Sequence, residues 1–70
     1  MPQGTVARVT EVSATSPTSF EDAIKTGITR ANETLRNVTG AWVKEMKIGL
    51  DGKGNVTSYQ VHMLITFVLD

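Results

Sequence analysis

Cysteine is absent from this 70-residue chain, and histidine occurs once, at His62. No disulfide framework and no thiolate metal site can form. One imidazole also falls short of the three or four strong ligands that a zinc site needs. Net charge is missing too: seven Lys and Arg balance seven Asp and Glu. No global field therefore draws the chain to nucleic acid or to an anionic membrane. Apolar runs such as Met63-Leu64-Ile65 are far too short to span a bilayer as a helix. The first residues, Met1-Pro2-Gln3-Gly4, lack the basic and apolar regions of a signal peptide, so a cytoplasmic protein is expected.

Catalytic signatures are equally scarce. There is no Gly-x-Ser-x-Gly, no Walker loop and no Gly-x-Gly-x-x-Gly, and each of these places a nucleophile or a phosphate cradle on a specific turn. Asp51-Gly52-Lys53-Gly54-Asn55 lacks the spaced acidic ligands and closing Glu of a calcium loop, and reads as a hairpin turn. Glu21 and Asp22 are explained by helix capping, and Glu11 and Glu45 by ion pairs or an interface rim. No enzyme is expected.

What is present reads as one domain over residues 1–70, with residues 1–4 as a loose tail. At 40% hydrophobic and 20% charged, the composition is that of a globular chain. A domain this small buries only about 60% of its unfolded surface. Without disulfides or metal its core rarely supplies more than ~3–5 kcal/mol. Oligomerisation is one of the remaining ways to stabilise it.

Residues 5–14 are rich in Val and Thr and predict a strand. The cluster Thr15-Ser16-Pro17-Thr18-Ser19 breaks it. Thr18 precedes Glu21 by three residues and Ser19 precedes Asp22 by three, and either pair fits a capping box. From Phe20 onward Ala23, Ile24, Gly27, Ile28, Ala31, Leu35 and Val38 recur at helical spacing. The small residues Ala23, Gly27 and Ala31 would let this helix sit close on a sheet. Thr39-Gly40 is expected to end it, since glycine suits a left-handed C-terminal position. Residues 41–50 predict a second strand, and residues 56–69 a third. In the third, the odd positions from Tyr59 to Leu69 are all apolar and should face the helix.

The expected class is therefore α+β, with β-α-β-β order and a sheet wrapped around one helix. One helix covers one sheet face. The other face is expected to expose Trp42, Met46, Ile48, Leu64 and Val68 among Lys44, Gln60, His62 and Thr66. A contiguous apolar patch that includes a Trp needs a cover. Either a partner subunit or a flat apolar ligand would supply it.

Parity places Trp42 on the same face as Gln60 and His62. An indole offers a flat π surface, and a Gln amide offers one acceptor and two donors for the edge of a heterocycle. Together they could hold a planar heteroaromatic ring. Alternatively Trp42 anchors an interface and Gln60 pairs with a neighbouring subunit. Tyr59 belongs to the helix-facing set and Trp42 to the other, so the two aromatics make no stacking platform for nucleic acid.

Over about residues 9–69 the chain resembles the dodecin family. The segments that carry the resemblance are Thr15-Ser16-Pro17, Phe20-Glu21-Asp22-Ala23, Thr34-Leu35-Arg36-Asn37, Tyr59-Gln60-Val61 and Phe67. The resemblance implies a three-stranded antiparallel sheet around one helix, and a hollow homododecamer. It also implies flavin held between tryptophans of neighbouring subunits, with a Gln on the pyrimidine edge. The role implied is storage and photoprotection of riboflavin, lumiflavin or FMN. Gln60 falls on the flavin-binding Gln. With Val43 aligned to the family's Trp-x-Glu-Val pattern, the stacking Trp falls on Gly40 and the Glu on Trp42. A shift of two residues keeps Trp42 on the same sheet face, one pleat (~7 Å) along. The expected ligand-binding residues are Gln60, Trp42, His62 and Gly40. Trp42 then either stacks the ligand in an altered geometry or fills its space. In the alternative, the shell binds no flavin and holds another small ligand or an ion, or is structural.

Overall fold

The computed structural model describes residues 4–69; Met1, Pro2 and Gln3 of the expected tail lie outside the described residues. The chain order is β1 (Ala7–Ser16), α1 (Phe20–Thr34), β2 (Val38–Leu50) and β3 (Val56–Val68). The strands form a three-stranded sheet of order β1-β3-β2, and both pairings are antiparallel. The long apolar strand is therefore central. The helix lies on one face and touches all three strands, β2 least. Among the described residues no helix is long and apolar enough to cross a membrane.

Alternation in β3 does what its pattern predicts. Val61, Met63 and Ile65 are fully buried beneath the helix, with Ala14, Ala23 and Ala31. Gly27 lets the helix approach the sheet closely. A Cβ there would meet Met63 Cε at 2.5 Å and Ala14 Cβ at 3.1 Å, so the small-residue stripe does set the helix low on the sheet. At the start of the helix, Phe20 meets Tyr59 edge to face, ring centroids 5.2 Å apart.

The helix start is pinned by two serines. Ser19 is the N-cap, and its Oγ accepts from the Asp22 N–H at 3.0 Å. Of the two possible capping boxes, the Ser19–Asp22 pair forms. Its reciprocal half is diverted: the Asp22 carboxylate accepts instead from Ser16 Oγ at 2.6 Å. Ser16 is 1% exposed, and its Oγ also accepts from the Thr18 N–H at 2.9 Å. One buried hydroxyl thus ties the end of β1 to the first turn of α1.

The helix ends earlier than its apolar stripe suggests. The Leu35 N–H donates to the Ala31 carbonyl at 2.8 Å and closes the last turn. Asn37 then takes the left-handed conformation, φ 58°, a region in which Asn is enriched. It is fixed to the end of β3, because the Val68 N–H donates to its carbonyl at 3.1 Å and its Nδ2 donates to the Val68 carbonyl at 3.3 Å. Gly40 is therefore not a helix terminator; it lies inside β2. Leu35 and Val38 still pack on the core, but Val38 does so from a strand.

A second departure lies in β2. Its register against β3 shifts between Val43 and Glu45, which leaves Lys44 as the extra residue of a β-bulge. A bulge reverses the side-chain parity beyond it. Met46 and Ile48 consequently stand opposite Val61 and Tyr59, on the helix side and not on the open face. The short helix does not reach far enough to cover them, and they remain 53% and 46% exposed.

Ser16→Ala removes one buried donor and leaves the Thr18 N–H without its partner. The expected loss is about 1–3 kcal/mol of unfolding free energy, read from urea unfolding at fixed protein concentration. An unchanged midpoint would show that the hydroxyl does not hold the helix start.

Candidate functional site

The open face is ordered in rows by the two strand registers. Thr15, Gln60 and Lys47 stand side by side, then Ser13, His62 and Glu45, then Glu11, Leu64 and Trp42, then Val9, Thr66 and Gly40. The first two rows are polar and the last two are partly apolar. The bulge at Lys44 produces this division by turning Met46 and Ile48 away and Glu45 and Lys47 outward.

Two hydrogen-bond systems run diagonally across the rows. Gln60 Nε2 donates to Ser13 Oγ at 3.0 Å. Glu11 Oε2 is shared by His62 Nε2 at 2.8 Å and Lys44 Nζ at 3.0 Å. Lys44 reaches across from β2 to β1 to make that bond, so one carboxylate links all three strands. The Lys44 ammonium holds the Glu11 carboxyl below its usual value, first by the hydrogen bond and then by charge, with a smaller contribution from His62. Glu11 in turn raises the Lys44 ammonium.

Gln60 and His62 line a shallow cleft of about 290 Å³ with Glu45, Met46 and Lys47. It continues past Gln60 and Lys47 into a second, of about 220 Å³, bordered by Thr15, Gly49 and Ser58. The rows bring Gln60 and His62 together, and they bring Trp42 and Gly40 together. His62 and Trp42 lie in adjacent rows, and Gln60 and Trp42 two rows apart. Trp42 stands opposite Leu64, four residues from Gln60 along β3, or ~13 Å. Trp42 is 72% exposed. A Cβ at Gly40 would meet nothing within 4 Å, so that position faces open space. Among the described residues no three His, Cys, Asp or Glu side chains group as metal ligands.

Sequence reasoning places Lys44 on the open face and reads Glu11 as an ion-pair or rim residue, but it does not show that the two pair or that Ser13 meets Gln60. Ser13 and Glu11 share the parity of the open face, but only the central position of β3 places them beside Gln60 and His62. Lys44 is the extra residue of the bulge, for which the sequence carries no clear signal.

The dodecin family profile matches residues 6–70. A dodecin from Thermus thermophilus is 36% identical over 67 residues, covering 96% of this chain and 96% of that protein. A calcium dodecin from Mycobacterium tuberculosis is 31% identical over 62 residues, covering 89% of this chain and 86% of that protein. Among solved structures, the dodecin from Streptomyces davaonensis superposes with a TM-score of 0.89 at 37% identity, covering 97% of this chain and 98% of the other.

Glu11 gives the network a pH signature. Because its carboxyl is held below its ordinary value, the bond to Lys44 is complete above the ordinary carboxylate range. It is lost only as pH falls through the lowered pKa. A carboxyl-carbon NMR titration is expected to place the Glu11 midpoint below 4.5, and Lys44→Met is expected to move it upward. An unmoved midpoint would mean that Lys44 does not hold this carboxylate in solution.

Proposed function

The chain belongs to the dodecin family, whose members are non-catalytic binding proteins, and from that premise we propose that it is a cytoplasmic homododecamer that binds and sequesters a flavin. The observation that carries this reading is the division of the open face. An exposed indole and a cleft-lining amide share one face but stand too far apart to grip one ring. Trp42 of one copy and Gln60 of another, brought together by assembly, would supply a stacking surface and an edge reader for the same ligand. This agrees with what the resemblance implies of flavin between neighbouring subunits.

In this arrangement Gln60 reads the pyrimidine edge of riboflavin, lumiflavin or FMN. His62 lines the same cleft, and Glu11 holds its imidazole. Trp42 stacks one pleat away from Gly40, the position where the resemblance expects the indole. A stacked indole donates an electron to the excited flavin and quenches it, so sequestration protects without turnover. The open space at Gly40 leaves room for a ring system to approach the sheet.

A second reading rests on the same residue. With Gly at position 40, the shell holds another small ligand or an ion, or serves as structure. Trp42 then fills the space a flavin ring would occupy.

Lumiflavin titration followed by flavin fluorescence separates the two. Strong quenching that saturates near one flavin per subunit is expected. Gln60→Ala should weaken binding about tenfold, the equivalent of one or two net hydrogen bonds, with no change in native mass. Absence of quenching in the wild-type protein would favour the second reading. Trp42→Ala is expected to abolish quenching; tighter binding on that substitution would show that the indole occupies the ring's place.

A further inference from the structure

A Gln amide can present either its oxygen or its nitrogen to a ligand, and something must choose. Two neighbours of Gln60 make that choice. On the β1 side Ser13 Oγ accepts from Gln60 Nε2 at 3.0 Å. On the β2 side Lys47 stands opposite Gln60 in the register and lines both clefts with it. A hydroxyl alone would not fix the amide, because it could donate to Oε1 as well as accept from Nε2. A cation on the β2 side favours the carbonyl oxygen there over the amide hydrogens. The bond to Ser13 turns the amide nitrogen toward β1, which leaves the oxygen for the cleft that Gln60 lines.

We infer that Ser13 is a positioning residue that locks the Gln60 amide so that the cleft offers a carbonyl acceptor, and that this selects ligands carrying a ring N–H donor beside a ring carbonyl. The imide edge of a flavin has this pattern. The free oxygen accepts from the ring N–H, and the remaining Nε2 hydrogen can donate to the adjacent carbonyl. A ring alkylated at that nitrogen loses the match. The inference rests on the flavin reading for its ligand, but the amide orientation can be measured without any ligand.

The orientation is read first. The chain has only two glutamines, Gln3 and Gln60, so selective ¹⁵N-glutamine labelling yields two side-chain amides. The Gln60 amide protons are expected to show Overhauser contacts to the Ser13 methylene in the protein without ligand. Absence of those contacts overturns the inference, whatever flavin does. Selectivity is read second, by titrating lumiflavin and 3-methyllumiflavin. Ser13→Ala is expected to weaken lumiflavin severalfold and leave 3-methyllumiflavin unchanged, and Ser13→Thr to restore the difference. Equal effects on both ligands would reduce Ser13 to a structural role and overturn the selection. If the wild-type protein binds neither ligand while the contacts persist, the flavin reading fails and the positioning by Ser13 stands.

Discussion

One short helix cannot cover a three-stranded sheet, and the rest of this molecule follows from that limit. The helix runs from Phe20 to Thr34, while β2 and β3 each extend over 13 residues. It buries the middle of β3 and leaves an entire sheet face open, together with Met46 and Ile48 on its own side. The molecule is long and thin, 59 × 20 × 14 Å. Burial by a single copy is therefore incomplete, and apolar side chains such as Trp42 remain in water. A chain without disulfides has few ways to compensate, and association of copies is the one that its surface suits.

The bulge at Lys44 decides what the open face is made of. Without it, Met46 and Ile48 would continue the apolar surface begun by Trp42 and Leu64 along β2, beside Gln60 and His62. With it, Glu45 and Lys47 join Gln60 and His62, and the face divides into a polar half and a partly apolar half. The extra residue, Lys44, itself crosses the sheet to Glu11. A single inserted residue thus sets the character of the cleft.

Much of this was legible in the residues. The odd positions of β3, the small-residue stripe of the helix and the common face of Trp42, Gln60 and His62 followed from periodicity alone. What escaped has a physical pattern. The apolar stripe ran on through Leu35 and Val38 because both pack on the core, but the backbone between them had already turned at Asn37. Periodicity reports burial, not hydrogen bonding, so it could not see the reversal. Parity beyond Val43 failed because a bulge leaves no compositional mark. Ser16 looked like part of a turn cluster, and its buried bonds to Asp22 and Thr18 depend on how strand and helix meet. The pairing of Ser13 with Gln60 needed the strand order, which no local pattern supplies.

The central claim is that this fold is completed by copies of itself and that its ligand site is assembled between them. Native mass spectrometry of the purified protein tests this most directly. The account predicts a single species at the mass of a dodecamer of 7.6 kDa subunits. A folded, stable monomer at micromolar concentration would contradict it, because Trp42 and Gln60 would then never meet across one ring.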